Sequence, residues 1–289
     1  MHDIIVPAEM HAWSRAERKR GHRIGFVPTM GFLHEGHMRL VDRAKERTDR
    51  VVLSIFVNPL QFGAGEDYTG YPRDLARDRQ VAAERGVDCL FLPDAQAMYP
   101  SPPLVRVLAG PMGESLEGAA RPGHFEGVLT VVAKLFHLVE PDIAVFGRKD
   151  FQQAMLVRRM AADLNFVLEI DVAPTVRELD GLALSSRNSY LTADERRAAL
   201  ALSRSLRAVE QAWRGGQADP AALARRGMEV LRAPGVVPEY VALVGEDLRP
   251  VSRVDARTVV AVAAAVGRAR LIDNVVLGEG VAADIAVRG

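Results

Sequence analysis

RIGFVPTMGFLHEGHMRLVDRAKERT, residues 23–48, is the stretch on which the fold turns. RIGFVP (23–28) is an apolar run of strand length, and HMRLVDRAKERT (37–48) has helical spacing with its charges on one side. The turn between them, PTMGFLHEGH, holds Gly31 and Gly36 and two of the seven histidines of the chain, His34 and His37. Strand, small-residue turn and helix form the opening unit of a parallel α/β sheet.

Outward from this unit the alternation repeats. RVVLSIFVN (50–58) is strand-like, RDLARDRQVAAERG (73–86) helical and VDCLFLP (87–93) strand-like again. HFEGVLTVVAKLFHLV (124–139) is apolar nearly all round, as a buried helix is. DIAVFG (142–147), KDFQQAMLVRRMAADL (149–164) and VLEIDVAP (167–174) add strand, helix, strand. After about residue 175 two charged amphipathic helices, Thr192–Arg214 and Pro220–Arg232, precede three apolar runs whose β-branched residues and glycine boundaries favour strands: EYVALVG, TVVAVAAAVG and ARLIDNVVL. The reading is an α/β chain in two domains. Residues 1–175 form a Rossmann-like parallel sheet with helices on both faces, and residues 176–289 a smaller α+β domain.

Composition narrows the function. Of 289 residues, 48 % are hydrophobic and 26 % charged, and the 37 Lys and Arg balance the 37 Asp and Glu, so no long-range field draws the chain to nucleic acid or an anionic membrane. Only 6 % aromatic residues leave little for base stacking. The single cysteine, Cys89, sits in an apolar run, which excludes a disulfide framework and fits a reducing cytoplasm. No apolar stretch is long enough to be a signal peptide or to span a bilayer.

Four polar clusters each follow a strand: TMGFLHEGH, NPLQF, GRKDFQQ and VRELDGLALSSRN. In an open parallel sheet such segments lie at the carboxyl edge, where ligands bind. A helix starting near His34 offers unpaired N–H groups and a positive dipole end, and residues three apart share a helix face. His34 and His37 can therefore both donate to one phosphate chain. A zinc-protease motif needs its histidines four apart, and HEGH spaces them three apart. Two histidines at a helix start also occur as ordinary surface residues, and SSRN alone reads as a polar turn.

The HxGH signature resembles that of adenylyl-transferring enzymes. The ordered set PTMGFLHEGH, SIFVNPLQFG, YPRDL, RPGHFEGVLTVVAKLF, FGRKDFQQ and LSSRNSYL closely resembles the pantoate-beta-alanine ligases, the pantothenate synthetase family. The resemblance runs from about residue 20 to 195 and is weaker beyond. It implies an acid–amino-acid ligase that activates the carboxylate of pantoate with ATP, forms pantoyl adenylate, and transfers the acyl group to beta-alanine with release of AMP. It also implies residue roles. Met30, Gly31, Phe32, Leu33, His34, Glu35, Gly36 and His37 would bind ATP, with His37 catalytic and His34 on the phosphates. Gln61 would touch pantoate and beta-alanine, and Gln153 pantoate. Gly147, Arg148, Lys149 and Asp150 match a second nucleotide segment in which Lys149 supplies a mobile charge; Asp150 would accept from ribose, hold Lys149, or cap the helix that follows. Leu184, Ser185, Ser186 and Arg187 match the segment that closes on the triphosphate, and Val176 a nucleotide backbone contact. Asp78 is the candidate Mg2+ carboxylate, Arg77 standing where the family often has an acid. Phe32 replaces a small residue, and Arg148 replaces an acid and is expected to point to solvent. The family is typically dimeric through its N-terminal domains, and residues 176–289 would act as a lid.

Overall fold

The computed structural model describes residues 1–287. Six strands, β1 (His2–Ile4), β2 (Ile24–Thr29), β3 (Arg50–Ile55), β4 (Cys89–Phe91), β5 (Ile143–Gly147) and β6 (Glu169–Ala173), pair in parallel in the order β1-β4-β3-β2-β5-β6. The order reverses beside β2, so the turn after β2 lies at the point where crossovers leave in opposite directions. The helices are α1 (Pro7–Lys19), α2 (Glu35–Lys45), α3 (Leu75–Glu84), the one-turn α4 (Ala95–Met98) and α5 (Glu117–Ala120), α6 (His124–Val139) and α7 (Phe151–Asp163).

Alternation along the strands sends neighbours to opposite faces. Val27, Leu53, Leu90 and Val145 are buried with Met38, Val41 and Ala44 of α2 and Ala82 of α3. Phe26 and Phe146 meet the ring of Phe136 on α6 edge to face, at centroid distances of 6.4 Å each. Both faces are thus covered, which explains why the central strands read as continuous apolar runs.

The C-terminal part contains β7 (Val176–Glu178), α8 (Ala193–Arg214), α9 (Pro220–Leu231), β8 (Val236–Val244), β9 (Val259–Val266), β10 (Ala269–Val276) and β11 (Ile285–Val287). β8, β9 and β10 form an antiparallel sheet with β9 in the centre, and β7 pairs with β11 in parallel. Thr192 and Glu195 cap α8 reciprocally, and Asp219 with Pro220 opens α9. Leu202, Leu206 and Val209 of α8 and Leu223 and Leu231 of α9 pack with Val260, Val262 and Ala264 in one apolar core.

The chain forms two compact units, Met1–Gly147 with Gln152–Ala173 and Arg148–Phe151 with Pro174 onward. The second unit is discontinuous: its long stretch from Pro174 is joined by the four-residue excursion Arg148–Phe151. Hydrogen bonds from the Asn274 side chain tie the excursion to β10.

Candidate active site

In the N-terminal unit, α2 begins one residue after His34, whose backbone is extended (φ −136°, ψ 173°) in the N-cap position. The His34 N–H points to Nδ1 of His37 at 3.3 Å, and the two rings stack with centroids 4.0 Å apart. With Nδ1 as acceptor, neutral His37 carries its proton on Nε2, the nitrogen suited to donate to a ligand. The first turn of α2 adds its backbone N–H groups and dipole.

The turn before His34 is held in an uncommon shape. Gly31 has φ +84°, and a Cβ there would stand 2.8 Å from Ile55 Cγ2 and 3.0 Å from Asp78 Oδ2. Phe32 follows with φ +52°, a conformation that costs a residue with a side chain about 1 kcal/mol or more. Asp78, on α3, offsets this: its two carboxylate oxygens accept the N–H of Phe32 at 2.8 Å and of Leu33 at 2.7 Å. Burial pushes the Asp78 carboxyl above the ordinary range, although both backbone N–H groups and Arg77 favour its charged form. Arg77 donates to the Leu33 carbonyl at 3.0 Å and places its guanidinium 5.7 Å from the Phe32 ring centroid. Phe32 and Arg77 are therefore partners in one structure.

This arrangement alters the expectation for Asp78. Both its oxygens already serve the turn, and among the described residues no group of three or more His, Cys, Asp or Glu side chains is placed to hold a metal. The structure gives Asp78 a positioning role on the turn.

Gln61 is buried at the end of a short 3-10 turn, Pro59–Gln61. Its Nε2 lies 3.2 Å from Met30 Sδ, its Oε1 accepts from Asn58 Nδ2 at 3.1 Å, and Asn58 also donates to the Gly127 carbonyl. The glutamine is thus brought to the histidine turn. The 3-10 turn lies so close to α6 that a Cβ on Gly127 would come 2.2 Å from the Leu60 carbonyl oxygen. A second network holds the Gln61 backbone. His124 Nδ1 bonds the Gln61 carbonyl at 2.8 Å, Arg121 donates to His124 Nε2 at 3.1 Å, and Arg121 pairs with Glu66. Burial, helped by the Arg121 guanidinium, pulls the His124 imidazole down to about 4, so it is neutral near pH 7 with its proton on Nδ1. The Arg121 hydrogen bond holds Glu66 below the usual carboxylate range against its burial. Asn58, Arg121 and His124 stand inside the motifs NPLQF and RPGHF, but the sequence reading gave them no role, because each acts through the backbone or amide of Gln61.

Gln153 is half-buried, whereas its neighbour Gln152 is buried and spent on structure. Gln152 donates to the carbonyls of Met112 and Ser115 and accepts from the Glu117 N–H. A cavity of about 270 Å³ borders the Met30–Phe32 turn, but neither Gln61, Gln153 nor either histidine lines it. Three of its polar side chains are engaged: Arg73 donates to the Tyr68, Thr69 and Tyr71 carbonyls, Asp74 caps α3, and Asp94 caps α4.

In the C-terminal unit, Arg148, Lys149 and Asp150 form one 3-10 turn directly after Gly147, which ends β5. Lys149 Nζ is 3.6 Å from Asp150 Oδ1, and the Asp150 side chain is half exposed. Arg148 does not extend into solvent as expected: its side chain is 11 % exposed and paired with Glu279. The Arg148 charge is thus neutralised by a carboxylate supplied further along the chain. Val176 and Leu184 are brought together by the Leu184 N–H to Val176 carbonyl bond of 2.9 Å. The loop that follows is preset, with Ser185 Oγ accepting the Arg187 N–H at 3.3 Å and Asn188 donating to the Ala183 carbonyl. Ser186 is buried, which sets it apart from the ordinary polar turn.

A parallel sheet with its order reversing beside β2, and a helix there that opens on paired histidines, define a Rossmann-like α/β protein. The family described as pantoate-beta-alanine ligase matches residues 4–276. Pantothenate synthetase of Pelotomaculum thermopropionicum is 50 % identical over 274 residues, covering 94 % of this chain and 97 % of the relative. That of Heliobacterium modesticaldum is 51 % identical over 271 residues, covering 93 % and 96 %. The crystal structure of pantothenate synthetase from Thermus thermophilus superposes with a TM-score of 0.91 at 49 % identity, covering 96 % of this chain and 99 % of that one. Pantoate-beta-alanine ligase from Francisella tularensis, solved in complex with beta-gamma ATP and beta-alanine, gives 0.81 at 35 % identity, covering 97 % and 99 %. The chain belongs to the pantoate-beta-alanine ligase family and is a ligase.

Proposed function

We propose, in detail, how this ligase makes pantothenate from pantoate, beta-alanine and ATP. A free carboxylate is a poor acyl donor, so the pantoate carboxylate first attacks the α-phosphorus of ATP. The bond to pyrophosphate breaks and pantoyl adenylate forms. The amine of beta-alanine then attacks the acyl carbon, loses a proton, and expels AMP. The observation that carries the reading is the histidine pair on the N-terminus of α2 behind a turn pinned by Asp78. In this reading His37 donates from Nε2 to the phosphate oxygens on which charge grows, with His34 and the α2 backbone beside it. Lys149 supplies a second positive charge, and Ser185, Ser186 and Arg187 donate to departing pyrophosphate. Met30 to Gly36, Gly147 to Asp150, Val176 and Leu184 complete the nucleotide contacts. Gln61 and Gln153 bridge the hydroxyl and carboxylate groups of pantoate, since an amide both donates and accepts, and Gln61 also meets beta-alanine. Mg2+ enters on the nucleotide as part of the substrate, and Asp78 positions the turn. Residues 176 onward act as the lid in this proposal, and the enzyme works in the cytoplasm, where Cys89 stays a buried thiol.

The test is isotope exchange between pyrophosphate and ATP with Mg2+ and pantoate but no beta-alanine. Exchange that requires pantoate, followed by free AMP once beta-alanine is added, is the expected result. Exchange indifferent to pantoate, or none with ATP still bound, overturns it.

The working form is proposed to be a homodimer joined through the N-terminal units. Leu104, Val105 and Leu108, in one short segment of that unit, are 98 %, 85 % and 76 % exposed, an apolar surface that a second copy would cover. Sedimentation equilibrium is expected to give twice the chain mass, and Leu104→Asp with Val105→Asp to shift it to the monomer. A monomeric wild type removes the dimer from the proposal.

A further inference from the structure

Asn274 lies on β10, paired with Ala261 of β9, and is 4 % exposed. Its amide nitrogen donates to two successive carbonyls, those of Arg148 and Lys149, at 2.9 Å each. One NH2 group reaches both because the 3-10 turn directs successive carbonyls to the same side. The asparagine is itself braced. Its N–H donates to Asp273 Oδ1 at 2.8 Å, and its carbonyl accepts from Arg177 Nη2 at 3.3 Å. Arg177 in turn grips Asp273 with both Nη atoms, at 2.6 and 2.9 Å, and Asp284 with Nε at 2.6 Å. The backbone that carries the Lys149 side chain therefore rests on one amide, held by a buried cluster.

Stability alone is a poor reason for this amide. Its oxygen is buried with no hydrogen-bond partner, and leaving a buried acceptor unsatisfied is destabilising. The two donors are what the position gains. We propose that Asn274 is a positioning residue for Lys149: by fixing the carbonyls of Arg148 and Lys149 it sets the point from which the ammonium reaches the reacting phosphate. The inference rests on the role proposed above for Lys149.

The experiment is a double-mutant cycle on pantoate-dependent pyrophosphate–ATP exchange with Asn274→Ala and Lys149→Ala. Asn274→Ala is expected to lower turnover roughly ten- to a hundredfold, as a shift of about 1 Å in a reacting group does, with the KM for pantoate within about twofold of wild type. In the Lys149→Ala background the same change is expected to cost nothing further, because two residues acting through one group do not add. Asn274→Ser, which keeps one donor on a shorter arm, is expected to fall between wild type and Asn274→Ala, and it supplies the cycle if the alanine variant fails to fold. Circular dichroism normalises each turnover to folded protein. Effects that multiply, or an Asn274 variant with wild-type turnover, overturn the inference while leaving Lys149 in the mechanism. A Lys149→Ala enzyme with wild-type turnover overturns the reading beneath it and the inference with it.

Discussion

Replacing His37 by alanine is expected to lower turnover in pantoate-dependent pyrophosphate–ATP exchange by about two to three orders of magnitude, which corresponds to roughly 3–4 kcal/mol of transition-state stabilisation. The size follows from where the ring sits. His37 is the third residue of α2, in the turn where the helix dipole and the backbone N–H groups are strongest, and its Nδ1 faces the His34 N–H. His37→Ala removes both the Nε2 donor and the Nδ1 acceptor. His37→Asn separates them, because its side-chain oxygen stands in for Nδ1 and nothing replaces Nε2–H. The asparagine variant is expected to melt within a few degrees of wild type and still to lack the turnover. Recovery of turnover in His37→Asn would show that the ring matters only for shaping the turn.

The largest effect on stability is expected at Arg177. Its side chain is 3 % exposed and meets two carboxylates, Asp273 and Asp284, themselves buried. Burial works against the charge, but the two carboxylates raise the affinity of Arg177 for its proton well above the ordinary value. Burial also pushes Asp284 up, with Asp273 adding to it and Arg177 opposing. Arg177→Met leaves two like charges buried without their partner, and breaking a buried ion pair in this way costs about 3–5 kcal/mol. Urea titration of the variant should show that loss. Adding Asp273→Asn and Asp284→Asn to Arg177→Met is expected to restore part of it, since the penalty lies in the abandoned charges. A loss below about 1 kcal/mol for Arg177→Met would mean that water enters the cluster and relieves it.

Elements that announce themselves in sequence do so through burial. β2, β3, β5 and β9 are apolar runs because both of their faces are covered, and α8 shows its polar and apolar sides over a length that chance does not produce. α1 leaves no such trace. Its buried residues are Met10, Ser14 and Glu17, and Glu17 is buried because His22, Arg20 and Arg50 surround it. β7 and β11 are three residues each and become strands only by finding one another across more than a hundred residues. The candidate site divides in the same way. His34, His37, Gln61 and Lys149 were legible as residue types in motifs. Asp78 acts on Phe32 and Leu33 in the turn before the histidines, and Arg121, His124 and Asn274 act on the backbone of Gln61 and Lys149, all from elements 40 or more positions away, and no local pattern records which carbonyl or N–H a distant side chain will meet. The same applies to Arg148, whose partner Glu279 is 131 residues further along.

The excursion of Arg148–Phe151 into the C-terminal unit decides how this chain can be divided. A fragment starting at Pro174 would lack the piece on which the Asn274 amide closes, and would expose the donors that the full chain satisfies. A fragment starting at Arg148 would regain that piece but also carry α7 and β6, which complete the other unit. No single scission yields two self-sufficient halves, so a split form of the enzyme would have to be assembled from overlapping fragments or from three separate pieces.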